Sequence, residues 1–175
     1  MDLDIKDFKI RNVKKYLECG SKISINPKDM IDKKVLKIIE VINEKDKKNR
    51  YSLIYDYISV YLDKDMQEKN FCSFENGKCI ASRKRKTIHE YDGCCWQRGV
   101  GHCNNLNKNG LCSINSISCK LFICSYLQSK GIKYNVKKIF PLKYFFNRKQ
   151  INTLKRSYFK SKEETISLLL SSEGI

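Results

Sequence analysis

Residues 94–124 read CCWQRGVGHCNNLNKNGLCSINSISCKLFIC. Six of the chain's nine cysteines fall here: Cys94, Cys95, Cys103, Cys112, Cys119 and Cys124. Asn, Gly and Ser dominate, and the apolar period of a helix or strand is missing. Such a stretch cannot order itself by burying a hydrophobic face. Thiolates converging on a soft metal can order it, and structural zinc contributes about 10–16 kcal/mol in small peptides. Gly93, Gly99, Gly101 and Gly110 give the backbone the freedom to bring sulfurs together. The pattern predicts a loop-rich cysteine region organised by metal.

Moving outward, two further cysteines, Cys72 and Cys79, lie upstream of the stretch, and Cys19 stands far from it. Cys19 reads as a core-packing residue. The flanks read as helices, so the fold class is mainly α, a small helical domain around the cysteine region. The first ~20 residues are weakly helical in pattern. Asn26-Pro27 supplies a cap and a first-turn proline, and Ile31, Val35, Ile38, Ile39 and Ile42 follow at helical spacing to about Glu44. Ile54, Tyr57, Ile58, Tyr61 and Leu62 place a second helix over 52–68, its tyrosines packing in the core. A helix is expected over 118–130 with Gly131 as its C-cap. Residues 132–146, around Pro141, read as extended. Helices follow at 147–159 and 162–171, the last opened by the capping-box pair Ser161 and Glu164. The organisation is thus an N-terminal helical part (1–69), a cysteine-rich metal-binding part (70–130) and a basic, mainly helical C-terminal part (131–175), together one compact domain.

The chain has 175 residues and 41% hydrophobic residues, enough for a core. Its start, Met1-Asp2-Leu3-Asp4, lacks the basic and apolar regions of a secretion signal. No run approaches ~18 apolar residues, so no membrane span is expected. A cytoplasmic location follows as the expectation, and in a reducing compartment dense cysteine points to metal rather than disulfides. The odd number of cysteines agrees.

From the cysteines onward the residues resemble a known family. Gly93-Cys94-Cys95, Cys103-Asn104-Asn105-Leu106, Cys112-Ser113-Ile114 and Cys119-Lys120 are similar to the core of the CxxCxxCC zinc- or iron-chelating domain family, which includes flagellin lysine N-methylases. The match covers about residues 93–120. It implies metal binding, with Cys95, Cys103, Cys112 and Cys119 as the matching ligands. The two closely spaced cysteines that open the family pattern are absent, and a basic insert, Ser82-Arg83-Lys84-Arg85-Lys86, precedes the pair. Ser116-Ile117-Ser118 replaces the usual Arg-Pro. Methyl transfer is therefore not carried over.

Cys94 and Cys124, with Cys72 and Cys79, are candidates for a larger or second site. Cys119 and Cys124 on one helix would lie about 140° apart and would not point to one spot. His102, beside Cys103, is a candidate nitrogen ligand or a plain loop histidine, and His89 is a weaker candidate. The spacing fits neither zinc-ribbon knuckles nor ferredoxins, so zinc and an iron–sulfur cluster both stay open.

Net charge is +16, yet residues 93–162 carry 14 basic and no acidic side chains. Lys and Arg around thiolates stabilise the deprotonated sulfur. They also suit an anionic partner. Lys137, Lys138, Lys143, Arg148, Lys149, Lys155 and Arg156 interleave with Phe140, Tyr144, Phe145, Phe146 and Tyr158, a mixture suited to single-stranded nucleic acid. No nucleotide loop, triad or carboxylate pair is present, so no reaction is assigned. The leading expectation is a cysteine-ligated metal protein, with redox or group-transfer chemistry open to an iron–sulfur cluster. The alternatives are a zinc-stabilised nucleic-acid-binding module and a disulfide-knitted protein.

Overall fold

A computed structural model describes residues 2–26, 31–69, 74–75, 78–79, 103–105, 113–133 and 139–172. Among these the fold is mainly helical, as the periodicity predicts.

The N-terminal residues form more than a weak helix. Strand β1 (Asp2–Asp4) pairs in parallel with β2 (Lys22–Ser24), in the register Asp2↔Lys22 to Asp4↔Ser24. Parallel neighbours need a crossover, and helix α1 (Val13–Glu18) supplies it, burying Val13, Tyr16 and Leu17. Helix α2 (Lys33–Asn43) starts later than Asn26-Pro27 suggested. Asp32 is the cap, and its carboxylate accepts from the Lys34 N–H at 2.7 Å. Its buried residues Ile38, Ile39, Val41 and Ile42 recur at the helical period. At the helix end, Asn43 treats Ile23 as a strand neighbour would. Its Oδ1 accepts from the Ile23 N–H at 2.7 Å and its Nδ2 donates to the Ile23 carbonyl at 2.8 Å.

Helix α3 (Lys47–Lys69) is the axis of the molecule. At about 1.5 Å per residue it spans roughly 34 Å. It begins five residues earlier than expected, because Asp46 accepts from the Asn49 N–H at 2.7 Å and caps it. Tyr51, Ile54, Tyr55, Ile58 and Leu62 form its buried stripe. Tyr57 and Tyr61 pack at the margin of the same core. A short antiparallel pair, β3 (Phe74–Glu75) with β4 (Lys78–Cys79), follows.

The expected 118–130 helix is two pieces, α4 (Ile117–Lys120) and α5 (Ser125–Ser129). Lys130 is the C-cap of α5 and Gly131, expected as the cap, follows it at φ 80°, with the Ile132 N–H donating back to the Leu127 carbonyl at 3.0 Å. Part of the stretch read as extended is helix α6 (Phe140–Phe145), with Pro141 in its first turn, where the missing N–H costs nothing. Helix α7 (Arg148–Arg156) opens on a capping box of Asn147 and Gln150. Gln150, fully buried, also donates to the Tyr51 hydroxyl at 2.7 Å. Helix α8 (Lys162–Ser171) opens on the expected Ser161–Glu164 box.

Helices α2, α4, α6 and α8 all pack on α3. One buried cluster runs from Val13 through Ile58 and Ile117 to Leu169, so the segments on both sides of the cysteine region share a core.

Candidate metal centre

Of the expected ligands, Cys72, Cys94, Cys95 and Cys112 lie outside the described residues. So do His89, His102 and the basic insert at 83–86. Cys79 is in β4, where only the backbone is described. Cys103, Cys119 and Cys124 are placed, and so is Cys19. Cys19 is exposed at the end of α1, which corrects its reading as a core residue: the apolar positions Val13, Tyr16 and Leu17 take the inward face, and Cys19 falls beyond it.

Cys103 is buried, 4% exposed, at the start of a turn over Asn104-Asn105. The Asn105 carbonyl accepts from the Ser113 N–H at 2.7 Å.

Cys119 is half-buried on α4, a helix of one turn that could not stand alone. Four kinds of contact hold it. Ile117 plugs into the main core at 1% exposure. The Ser116 hydroxyl donates to the Ser157 carbonyl at 3.0 Å, and the Ser118 hydroxyl donates to the Leu154 carbonyl. Both acceptors are at the C-terminal end of α7, and each carbonyl also takes a backbone N–H, Leu154 from Ser157 and Ser157 from Lys160. Ser116-Ile117-Ser118 therefore docks α4 between α3 and α7. The Tyr55 hydroxyl donates to the Asn115 carbonyl at 3.3 Å, and Asn115 sits in the left-handed region at φ 49°.

The fourth contact was not visible in the sequence. The Lys120 ammonium donates to the Ser59 hydroxyl at 2.8 Å and to the Asp63 carboxylate at 2.7 Å, both on α3. Its side chain is only 13% exposed. Neither partner announces itself, since they lie about sixty residues upstream on the flank of an amphipathic helix. Burial pushes the Tyr55 phenol above its usual range. A bond at the Ile117 backbone opposes the shift, and the nearby Cys119 sulfur adds to it.

Cys124 is buried in a separate small cluster with Ile123 and Leu127, flanked by Phe122, Tyr126 and Ile132. It precedes α5, while Cys119 is on α4, so the angular argument for one continuous helix does not apply. Among the described residues, no three Cys, His, Asp or Glu side chains converge as metal ligands.

No known protein family, curated protein or solved structure matches this chain.

The carboxylate-free block is carboxylate-free in sequence but not in space. Asp63 pairs with Lys120, and Asp56 pairs with Lys162 at 2.7 Å. Both acids come from α3. Helix α7 keeps Arg148, Lys149, Lys155 and Arg156 exposed. No helix among the described residues is long and apolar enough to cross a membrane.

Proposed function

We propose that this protein binds zinc or an iron–sulfur cluster through its cysteines, with Cys95, Cys103, Cys112 and Cys119 as the central ligands. The observation that carries this is six cysteines between 94 and 124 in a segment with no acidic side chain. The donor set suits the metal. Thiolates are the soft ligands that zinc and iron–sulfur clusters take, and surrounding cations favour the deprotonated sulfur. Cys103 and Cys119 are withdrawn from bulk water to different degrees, as ligands of a closed site are. Cys94, Cys72, Cys79 and Cys124 supply sulfurs for a second or larger site. The resemblance over 93–120 supports the same reading, and a cytoplasmic location is consistent with ligation over disulfides.

Purification without oxygen, followed by elemental analysis and a visible spectrum, tests it. Stoichiometric iron with visible absorbance assigns a cluster, and stoichiometric colourless zinc assigns a zinc site. Metal-free protein with nine titratable thiols sinks the reading.

A second reading, a zinc-stabilised nucleic-acid-binding module, is favoured by the four exposed cations of α7. Its mark is an affinity that falls steeply with salt.

A further inference from the structure

We infer that the groove between residues 121–123 and α7 is a binding site for a nucleotide unit, with the base against Phe122 and Tyr158 and the phosphate on Lys133 and Lys155. This rests on the second reading above and gives it a place and a ligand chemistry.

The groove, open to solvent on one side, offers about 470 Å³, within the ~300–1,000 Å³ range of small-ligand clefts. Its walls are aromatic. Phe122 and Tyr158 meet edge-on, with centroids 6.3 Å apart and planes at 82°. A flat ring seated in such a corner stacks on one ring and closes against the other, which suits a base. Its charge is of one sign. Lys133 and Lys155 line it, and no carboxylate does among the described residues. Neither lysine has a carboxylate partner among the described residues, unlike Lys120 and Lys162. Gln128 lines the same groove, and its amide N–H donates to the Ile123 carbonyl at 2.7 Å. One of its two N–H donors is thereby engaged, and the side-chain carbonyl is an acceptor for a base N–H. A bare phosphate would have no use for the aromatic corner, and a neutral ring would have no use for the lysines. A nucleotide uses both.

A free nucleotide and a single strand offer the same unit, so two probes separate them: a fluorescent ATP analogue and a labelled oligouridylate, each titrated at low salt onto the full chain. The groove variant is Lys133→Glu with Lys155→Glu. The control is Lys14→Glu with Lys15→Glu, exposed on α1, which changes the net charge equally. We expect the groove variant to lose about tenfold more affinity than the control. Tyr158→Leu should lose about tenfold by removing the stacking face. Helicity and Tm are recorded for every variant, and the lysine pair carries the test if Tyr158→Leu does not fold. Preference for the ATP analogue assigns a free nucleotide, and preference for the oligonucleotide assigns a strand. Equal losses in groove and control variants overturn the site, as net charge alone then explains binding. Strong binding that the groove variant leaves intact sinks the site and spares the nucleic-acid reading. No binding of either probe sinks both.

Discussion

Lys120→Met isolates what the docked ammonium does for the cysteine segment. The substitution keeps the apolar stem and removes the charge. Lost with it are the bonds to the Ser59 hydroxyl and the Asp63 carboxylate. Hydrogen bonds to charged groups contribute about 1.5–3 kcal/mol net. Two effects reduce that figure here. The Asp63 side chain is 49% exposed, so water takes over part of its solvation. Removing a largely buried ammonium also recovers its desolvation cost. The expected loss is about 1–2 kcal/mol. At ~2–4 °C per kcal/mol for a chain of this size, Tm should fall by roughly 2–8 °C. Urea denaturation followed by circular dichroism should show a lower midpoint at unchanged slope. Asp63→Asn and the double variant complete a cycle, with an expected coupling of about 1 kcal/mol. Lys64→Met is the control. It breaks a 3.8 Å pair with Glu68 whose lysine is 77% exposed, and it should change nothing measurable. Additivity of Lys120→Met and Asp63→Asn to within about 0.3 kcal/mol would refute the reasoning. On the proposed metal reading, metal content should fall with Lys120→Met in proportion to the loosened docking of Cys119.

Asn43→Leu should cost about 1–3 kcal/mol, because it leaves the Ile23 N–H and carbonyl without their partner, and the Ile23 amide should lose exchange protection. Glu164 has its carboxyl held below the usual 4.5, chiefly by the Ser161 backbone N–H. A depressed folded value contributes stability above the unfolded value and loses it as pH falls through the folded one, so α8 should fray below about pH 4.5. Glu164→Gln should remove that acid dependence while keeping the box, and amide exchange over 162–165 reads the difference. Burial pushes Tyr51, Tyr55 and Tyr57 above 10.0. Raised folded values mean that stability is complete below pH 10.0 and is lost as pH rises through them. Phenolate absorbance should therefore show a late group that Tyr55→Phe diminishes by one.

The sequence carried the helices well where periodicity and caps agreed. Ser161 and Glu164 placed α8 to the residue, and Gly131 marked the end of α5. It misled where two start signals competed. Asn26-Pro27 looked like the entry to α2, yet Asp32, nearer the buried stripe, caps it. Asp46 lies inside a polar run that reads as a linker, yet its carboxylate caps α3. The apolar stretch 132–146 around Pro141 reads as extended, yet Pro141 lies in the first turn of α6. The split between α4 and α5 was beyond any periodic reading. Leu121 belongs to the main core and Ile123 to the small cluster, and only tertiary packing assigns them. At the candidate site, residue types pointed to thiolate chemistry. The clamp on Cys119 was invisible, since Ser59 and Asp63 belong to it through space alone.

The two α3 carboxylates have a consequence for the order of synthesis. Asp56 and Asp63 leave the ribosome before any of the 14 cations of residues 93–162. Lys120 and Lys162 thus meet a helix already carrying their two partners, as domains that fold from the N-terminus onward allow. A fragment beginning after residue 100 would make the same helices into a polycation with nothing to dock against. A circular permutant that places α3 last would keep every final contact and lose the sequence of events. Comparing soluble yield of permutant and parent, at matched equilibrium stability, would show how far this molecule depends on making its acids first.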